Sequence, residues 1–76
     1  MKTAKEIFEE LGYELVSKNS TIIRYAKDFD RIEFYLSDNT IGVYDDWYYE
    51  QTYNPITLQE LQAINKQVEE LGWLDE

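Results

Sequence analysis

Two copies of one short motif, Thr-x-x-Glu followed by apolar residues, stand near the two ends of the chain and constrain how it can fold. The first copy pairs Thr3 with Glu6, and the second pairs Thr57 with Glu60. In such a capping box, the threonine and glutamate side chains each accept a hydrogen bond from a backbone amide at the helix start. The motifs therefore predict one helix near each end and a different kind of structure between them.

Apolar residues after each motif follow the spacing of a single helical face. They are Ala4, Ile7, Phe8 and Leu11 after the first motif, and Leu58, Leu61, Ile64, Val68 and Leu71 after the second. Gly12 and Gly72 stand just beyond the two stripes, where glycine tolerates the positive φ of a helix end. This predicts a first helix over about residues 4–11 and a second helix over about residues 58–71.

The middle of the chain alternates apolar and polar residues, with the period of two that is typical of strands. Residues 31–37 show it most clearly, because Ile32, Phe34 and Leu36 fall on one side. Asp38 and Asn39 suit a two-residue hairpin turn. The predicted strands are residues 13–18, 21–26, 31–37 and 40–44, with turns at 19–20 and 38–39 and a connection at 27–30. Residues 47–53 could form a further strand or an ordered loop.

These elements predict a single α+β domain over residues 1–76: a helix, a three- or four-stranded antiparallel meander and a second helix. We expect both helices to cover the same face of the sheet, which leaves the other face open to solvent. The predicted core joins the inward residues of the sheet to the helical stripes. Its members are Ile7, Phe8, Leu11, Ile32, Phe34, Leu36, Ile41, Val43, Leu61, Ile64 and Val68.

The chain contains no cysteine and no histidine, which narrows its chemistry. Disulfides, thiolate nucleophiles and imidazole ligands are excluded. Asp28 with Asp30, and Asp45 with Asp46, bring carboxylates together but do not match the spacing of a calcium loop. A domain of 76 residues also has little room for a pocket with a carboxylate on either side. We therefore expect no metal, no cofactor and no enzymatic activity.

The chain carries 16 acidic and seven basic residues, a formal charge of −9. This charge repels nucleic-acid phosphates and anionic lipids, so direct binding to nucleic acid or to a membrane is not expected. No run approaches the ~18 apolar residues of a transmembrane helix. The N-terminus opens directly into a charged helical pattern, so we expect no signal peptide and a cytoplasmic location. Basic proteins, including nucleic-acid-binding ones, are the expected partners.

Residues 27–54 combine a net charge of −5 with eight of the twelve aromatic residues. Exposed aromatic rings interleaved with carboxylates favour binding to a basic protein. The candidate partner-binding residues are Asp28, Asp30, Glu33, Tyr35, Tyr44, Asp45, Asp46, Trp47, Tyr48, Tyr49 and Glu50. The alternative is that the aromatics pack on one another over a thin sheet and that the carboxylates only keep the protein soluble.

A rigid array of carboxylates can also imitate a nucleic acid, because duplex DNA presents one negative charge per ~1.7 Å of its axis. The chain would then occupy the basic groove of a nucleic-acid-handling protein and inhibit it sterically. The alternative function is that of a structural or accessory protein that acts through homo-oligomerisation, for example as a homodimer, with an apolar edge or Trp73 in the interface.

Both ends of the chain resemble small, mostly uncharacterised proteins encoded by phages and prophages of Gram-positive bacteria. The residues that carry the resemblance are TAKEIFEELGY at 3–13 and ITLQELQAINKQVEELGWL at 56–74. The resemblance implies a phage-encoded protein that acts in the cytoplasm of a bacterial host. Small acidic phage proteins of this size often resemble inhibitors of host defence such as anti-CRISPR proteins, and this analogy assigns no role to any single residue.

Overall fold

The computed structural model describes residues 2–45 and 55–74. The elements are α1 (Ala4–Glu10), β1 (Glu14–Lys18), β2 (Ile22–Lys27), β3 (Asp30–Tyr35), β4 (Thr40–Asp45) and α2 (Leu58–Leu71). The four strands form one antiparallel sheet in the order β1-β2-β3-β4. The predicted α+β fold with an antiparallel meander is confirmed. The question of a strand at 47–53 lies outside the described residues.

Both helices begin at the predicted capping boxes. The Thr3 hydroxyl accepts from the Glu6 amide at 3.2 Å, and the Glu6 carboxylate accepts from the Thr3 amide at 2.8 Å. The corresponding distances between Thr57 and Glu60 are 3.0 and 2.7 Å. Each cap stabilises its helix by about 1 kcal/mol. At the other end of α2, Gly72 takes the left-handed conformation with φ of +74°, as its position predicts.

The sheet departs from the predicted strands at its turns and at one bulge. β3 ends at Tyr35, and the connection to β4 is four residues long rather than a two-residue turn. A two-residue turn of the expected type needs positive φ at both positions, whereas only Asn39 of the pair has it, at +57°. The β2–β3 connection is tighter than predicted, with Asp28 and Phe29 alone in the loop. In β1, the register shifts between Leu15 and Ser17.

The core lies between one face of the sheet and the two helices. Phe8 of α1 stacks on Tyr25 of β2, with ring centroids 4.0 Å apart. Gln67 of α2 accepts a hydrogen bond from the Tyr25 hydroxyl at 2.7 Å. The two helices therefore contact the same side chain on the same face of the sheet. The buried cluster consists of Phe8, Tyr13, Ile23, Tyr25, Ile32, Phe34, Ala63, Ile64 and Val68.

The core differs from the predicted one near the start of α2 and at the sheet edge. Leu58 and Leu61 are 67 % and 40 % exposed, because α2 reaches the core through its later turns. Ile41, on the edge strand β4, is also 40 % exposed. Tyr13 and Tyr25 fill the interior instead. Within the described part of the chain, neither helix has the length and apolar character needed to cross a membrane.

Candidate functional site

The sheet divides the predicted partner-binding residues between its two sides. Alternation along β3 and β4 puts one group on the open face, away from the helices, namely Glu33, Tyr35 and Tyr44. The other group lies on the side of the buried Ile32, at one end of the sheet, and consists of Asp30 and Asp45. Asp28 lies in the adjoining β2–β3 loop. Five predicted site residues lie outside the described residues: Asp46, Trp47, Tyr48, Tyr49 and Glu50.

On the open face, Glu33 is only 2 % exposed although neither of the two described helices covers it. One carboxylate oxygen accepts a hydrogen bond from the Tyr35 hydroxyl. The other accepts from Arg24 Nε and from the Tyr44 hydroxyl, the latter at 2.7 Å. Arg24 stands directly opposite Glu33 on β2, and Gly42 stands opposite it on β4. We call the set Arg24, Glu33, Tyr35 and Tyr44 the Glu33 cluster.

The hydrogen bonds of the Glu33 cluster decide its ionisation. Burial alone would raise the pKa of Glu33, but the bonds from Tyr35, Tyr44 and Arg24 outweigh it, so that the pKa lies below its ordinary value of 4.5. The hydrogen bond between the Tyr35 hydroxyl and Glu33 raises the pKa of Tyr35 to about 12. Glu33 is therefore a carboxylate at neutral pH, and its charge is already compensated. Among the described residues, the tyrosine hydroxyls and the guanidinium group enclose this carboxylate.

The open face of the described strands is balanced in charge rather than acidic. Its positive side chains are those of Arg24 and Arg31, and its negative side chains are those of Glu14 and Glu33, as the strand register places them. An array that imitates nucleic acid needs an excess of negative charge on one surface. The open face of these strands does not provide that excess.

Negative charge is concentrated at one end of the sheet instead. Asp30 on β3 stands directly opposite Asp45 on β4. Burial raises the pKa of Asp30, and the charges of Asp45, Glu60 and Asp28 raise it further, while Lys27 acts in the opposite direction. We call Asp28, Asp30, Asp45 and Glu60 the acidic end. The other three carboxylates are close enough to oppose the ionisation of Asp30.

Tyr13 and Lys27 lie beside the carboxylates of the acidic end. Glu60 accepts a hydrogen bond from the Tyr13 hydroxyl at 2.5 Å. Burial would raise the pKa of Glu60, but this bond and those of the helix cap lower it. The ammonium of Lys27 lies 5.7 Å from the centre of the Tyr13 ring. Phe29, in the loop between Asp28 and Asp30, is 48 % exposed. The acidic end thus presents an aromatic ring flanked by carboxylates.

The acidic end offers charge rather than a metal cage. Among residues 2–45 and 55–74, no three acidic side chains are grouped so that they could hold a metal ion. Chemically, the arrangement can bind cationic side chains such as arginine and lysine through charge-assisted hydrogen bonds.

The candidate partner-binding residues predicted from the sequence did not include Arg24, Phe29 or Glu60, although Glu60 was a possible extension of the array of carboxylates. Arg24 lies between two apolar residues of a β-branched strand, so that alternation places it on the polar face, where Glu33 of the next strand also falls. This alternation could have indicated that Arg24 and Glu33 lie on the same face of the sheet. The exposure of Phe29 and the approach of Glu60 depend on tertiary packing and left no signal in the sequence.

Comparisons of the chain with protein-family models, with curated protein sequences and with solved structures give no match. The geometry and the charge of the chain itself therefore carry the functional argument.

Proposed function

We propose that this chain is a non-enzymatic binding protein that docks its acidic end on a basic groove of a nucleic-acid-handling or defence protein and keeps nucleic acid out of that groove. The observation that carries the proposal is the pairing of Asp30 with Asp45. Like charges directly opposite each other on neighbouring strands destabilise a sheet. A partner that supplies positive charge beside Asp30 would relieve the repulsion that raises the pKa of Asp30.

The loop at the acidic end supplies the apolar contact that charge alone lacks. Interfaces draw most of their affinity from a few buried anchors, with aromatic side chains prominent among them. Phe29 is half-exposed at the tip of the β2–β3 hairpin. Asp28 and Asp30 flank it, so a basic groove with an apolar floor fits this surface. The net charge of −9 would also accelerate the encounter with a basic partner.

The setting of the proposal comes from the resemblance of residues 3–13 and 56–74 to small phage and prophage proteins. The resemblance implies the cytoplasm of a Gram-positive host as the setting, where host proteins that bind DNA or RNA would be the available targets. Asp46, Trp47, Tyr48, Tyr49 and Glu50 directly follow Asp45 in the sequence. They stay predicted members of the same docking surface.

The test is affinity capture from a host lysate with two variants of equal charge change. Asp30→Asn with Asp45→Asn removes two charges from the acidic end. Glu9→Gln with Glu10→Gln removes two charges from α1, where both glutamates are exposed and pair with lysines. We expect the wild type and the α1 variant to capture a basic protein that the acidic-end variant loses.

The captured protein should also release the chain when nucleic acid is added, because the chain and the nucleic acid would compete for one groove. Retention should fall steeply with salt, since exposed charges are screened beyond ~8 Å at about 0.15 M. Equal capture by the two variants would contradict the role of the acidic end. A captured protein that holds the chain and nucleic acid together would contradict mimicry.

A second candidate function is homo-oligomerisation, which exposed apolar side chains of α2 and of the segment after it favour. Leu58, Leu61 and Leu74 are 67 %, 40 % and 78 % exposed. Trp73 fits less well as an anchor, because it packs on Phe34 with ring centroids 6.3 Å apart. The charge of −9 per copy opposes self-association. Light scattering tests this function by measuring the oligomeric state. If the wild type is a dimer and the double variant Leu58→Gln, Leu61→Gln is a monomer, homo-oligomerisation is favoured over the first function.

A further inference from the structure

The two edge strands of the sheet, β1 and β4, differ in how they are protected against pairing with a further strand. The register of β1 shifts around Val16, which forms a bulge, and the exposed Glu14 and Lys18 stand at its ends. Bulges and charged side chains are common ways to block an edge. β4 keeps an unbroken register with β3 over its 6 residues, and its one charged residue, Asp45, stands at its end. β4 is therefore the unprotected edge.

Two residues of β4 direct their backbone hydrogen-bonding groups away from the sheet. In an antiparallel sheet, successive residues direct these groups to alternate sides. The amide of Leu36, directly after β3, donates at 2.9 Å to the carbonyl directly before β2, so Tyr35 points toward β4. Tyr35 stands opposite Thr40, and alternation then turns Ile41 and Val43 outward. Within residues 2–45 and 55–74, the outward groups of these two residues have no hydrogen-bond partner.

The side chains of these two residues form an incompletely covered apolar margin of the core. Ile41 and Val43 stand opposite the buried Phe34 and Ile32, so they lie on the side of the helices. Ile41 is nevertheless 40 % exposed. A further strand at this edge would cover Ile41 and would pair with the outward backbone groups.

β4 is complementary to a second copy of itself. A two-fold axis perpendicular to the sheet makes the two β4 strands antiparallel neighbours, with the helices of both copies on the same face. Outward groups must meet outward groups, so Ile41 of each copy stands opposite Val43 of the other, with Gly42 on the axis. This register pairs apolar side chains, as in stabilising cross-strand pairs, and it places Thr40 opposite Tyr44 on the other face.

The same register keeps like charges apart. Asp45 of each copy would stand opposite Asn39 of the other. The smallest shifts that still join outward groups move the register by two residues. One of these shifts leaves only residues 40–42 of each strand paired, and the other places Asp45 opposite Ile41. The register about Gly42 is therefore the best of the three.

We infer that two copies of this chain pair through β4, so that the four strands of each copy form one continuous sheet. A pair of strands of 6 residues is smaller than a standard interface of ~1,200 Å², so we expect a weak dimer with a Kd on the order of 100 μM. The charge of −9 on each copy opposes the pairing, and salt screens this repulsion.

The inference does not depend on the acidic end, and it uses a different surface from the exposed leucines of α2. Salt weakens the docking proposed for the acidic end, because that docking rests on attraction between opposite charges. Salt should strengthen the pairing of β4, where like-charged copies meet. Opposite salt dependence therefore separates the two proposals, and either one can fail without the other.

The test is sedimentation equilibrium of the full chain, combined with amide hydrogen exchange measured by NMR. We expect a larger dimeric fraction at ~0.5 M salt than at ~0.05 M, because the Debye length falls from about 14 to about 4 Å. When about nine-tenths of the chain is dimeric, the Ile41 and Val43 amides should exchange about tenfold more slowly, since exchange then proceeds from the remaining monomer. The Gly42 amide points toward β3 and should be protected already in the monomer.

Matched lysine variants at the two edges locate the interface. Ile41→Lys puts a charge on β4 where the second copy would cover it, and Val16→Lys makes the corresponding change on β1. Both variants remove one unit of net negative charge, which by itself favours association, so only Ile41→Lys should lose the dimer. Val43→Pro removes an outward amide that the pairing with β3 does not use, and it should weaken the dimer about tenfold.

Several results would overturn the inference. They are a chain that stays monomeric at high salt, a dimeric fraction that falls with salt, and equal effects of the two lysine variants. Protection of the Ile41 and Val43 amides already in the monomer would mean that another segment of this chain covers the edge. A dimer that Leu58→Gln with Leu61→Gln dissociates, and that Ile41→Lys leaves intact, would assign self-association to α2 instead.

Discussion

The phenol ring of Tyr35 lies across Gly42. A Cβ placed on Gly42 would stand 3.1 Å from both the hydroxyl oxygen and Cε2 of Tyr35. To make room, the Tyr35 ring would have to shift by a few tenths of an ångström, which would strain the hydrogen bond from its hydroxyl to Glu33. The absence of a side chain at position 42 therefore favours the Glu33 cluster.

Gly42→Ala should consequently destabilise the protein, although alanine ordinarily suits a strand better than glycine does. We expect a loss of about 1 kcal/mol in the free energy of unfolding, the value of one hydrogen bond. Urea denaturation measures it. In a Tyr35→Ala background the same change should be neutral or stabilising, because the ring is gone. A loss of equal size in both backgrounds would show that Tyr35 is not the cause.

Glu33→Gln should destabilise the protein at neutral pH, because three donors would face a neutral amide. The expected cost is about 2 kcal/mol. The pKa of Glu33 is lower in the folded state than its ordinary 4.5, so its contribution is complete above pH 4.5 and is lost as the pH falls through the folded pKa. The wild type and the variant should therefore converge in stability in acid. Glu9→Gln, at an exposed position, serves as the control and should show no such convergence.

Asp30→Asn should stabilise the protein at neutral pH. Burial and the charges of Asp45, Glu60 and Asp28 raise the pKa of Asp30, so its ionised form opposes folding above that pKa. We expect a gain of about 0.5 kcal/mol, within the range for charge pairs across strands. Chemical denaturation near neutral pH measures the gain, which should vanish as acid protonates Asp30. Glu14→Gln, at an exposed position on β1, should bring no comparable gain.

The two capping boxes allow a matched comparison of their glutamates. Glu6 and Glu60 each accept from the amide of their capping threonine, but only Glu60 also accepts from the Tyr13 hydroxyl. Glu60→Ala should cost about 2 kcal/mol, because it removes the carboxylate half of the capping box and leaves the Tyr13 hydroxyl without its acceptor. Glu6→Ala should cost less. Thermal unfolding of the two variants decides, and equal losses would mean that the bond to Tyr13 contributes nothing.

The sequence indicated the local features of this fold, because their causes are local. The pair Thr57 and Glu60 lies within one helical turn and could be recognised directly. The buried tyrosines were missed because their partners are distant in the chain: Glu60 is 47 residues from Tyr13, and Gln67 is 42 residues from Tyr25. A buried tyrosine hydroxyl usually needs a hydrogen-bond partner, and the sequence does not reveal a partner that is distant in the chain.

The candidate site was predicted as one surface, and the structure places its described members on two. Alternation along β3 already puts Asp30 and Glu33 on opposite sides, so this division could have been derived from the sequence. The hydrogen bond from Tyr44 to Glu33 could not, because it depends on the register of β3 against β4. Charge and aromatic content pointed to one region of the chain but did not indicate which of its carboxylates is enclosed by hydrogen bonds, as Glu33 is.

The bond between the Ala4 amide and the Glu70 carboxylate joins the first turn of α1 to the last turns of α2, across 66 positions of the chain. A chain emerging from the ribosome cannot close this bond until α2 has been synthesised. We therefore expect α1 to reach its final stability only after translation has passed Glu70, although its contact with Tyr25 of the sheet can form earlier. Full protease protection of α1 in nascent chains stalled before that point would contradict this order.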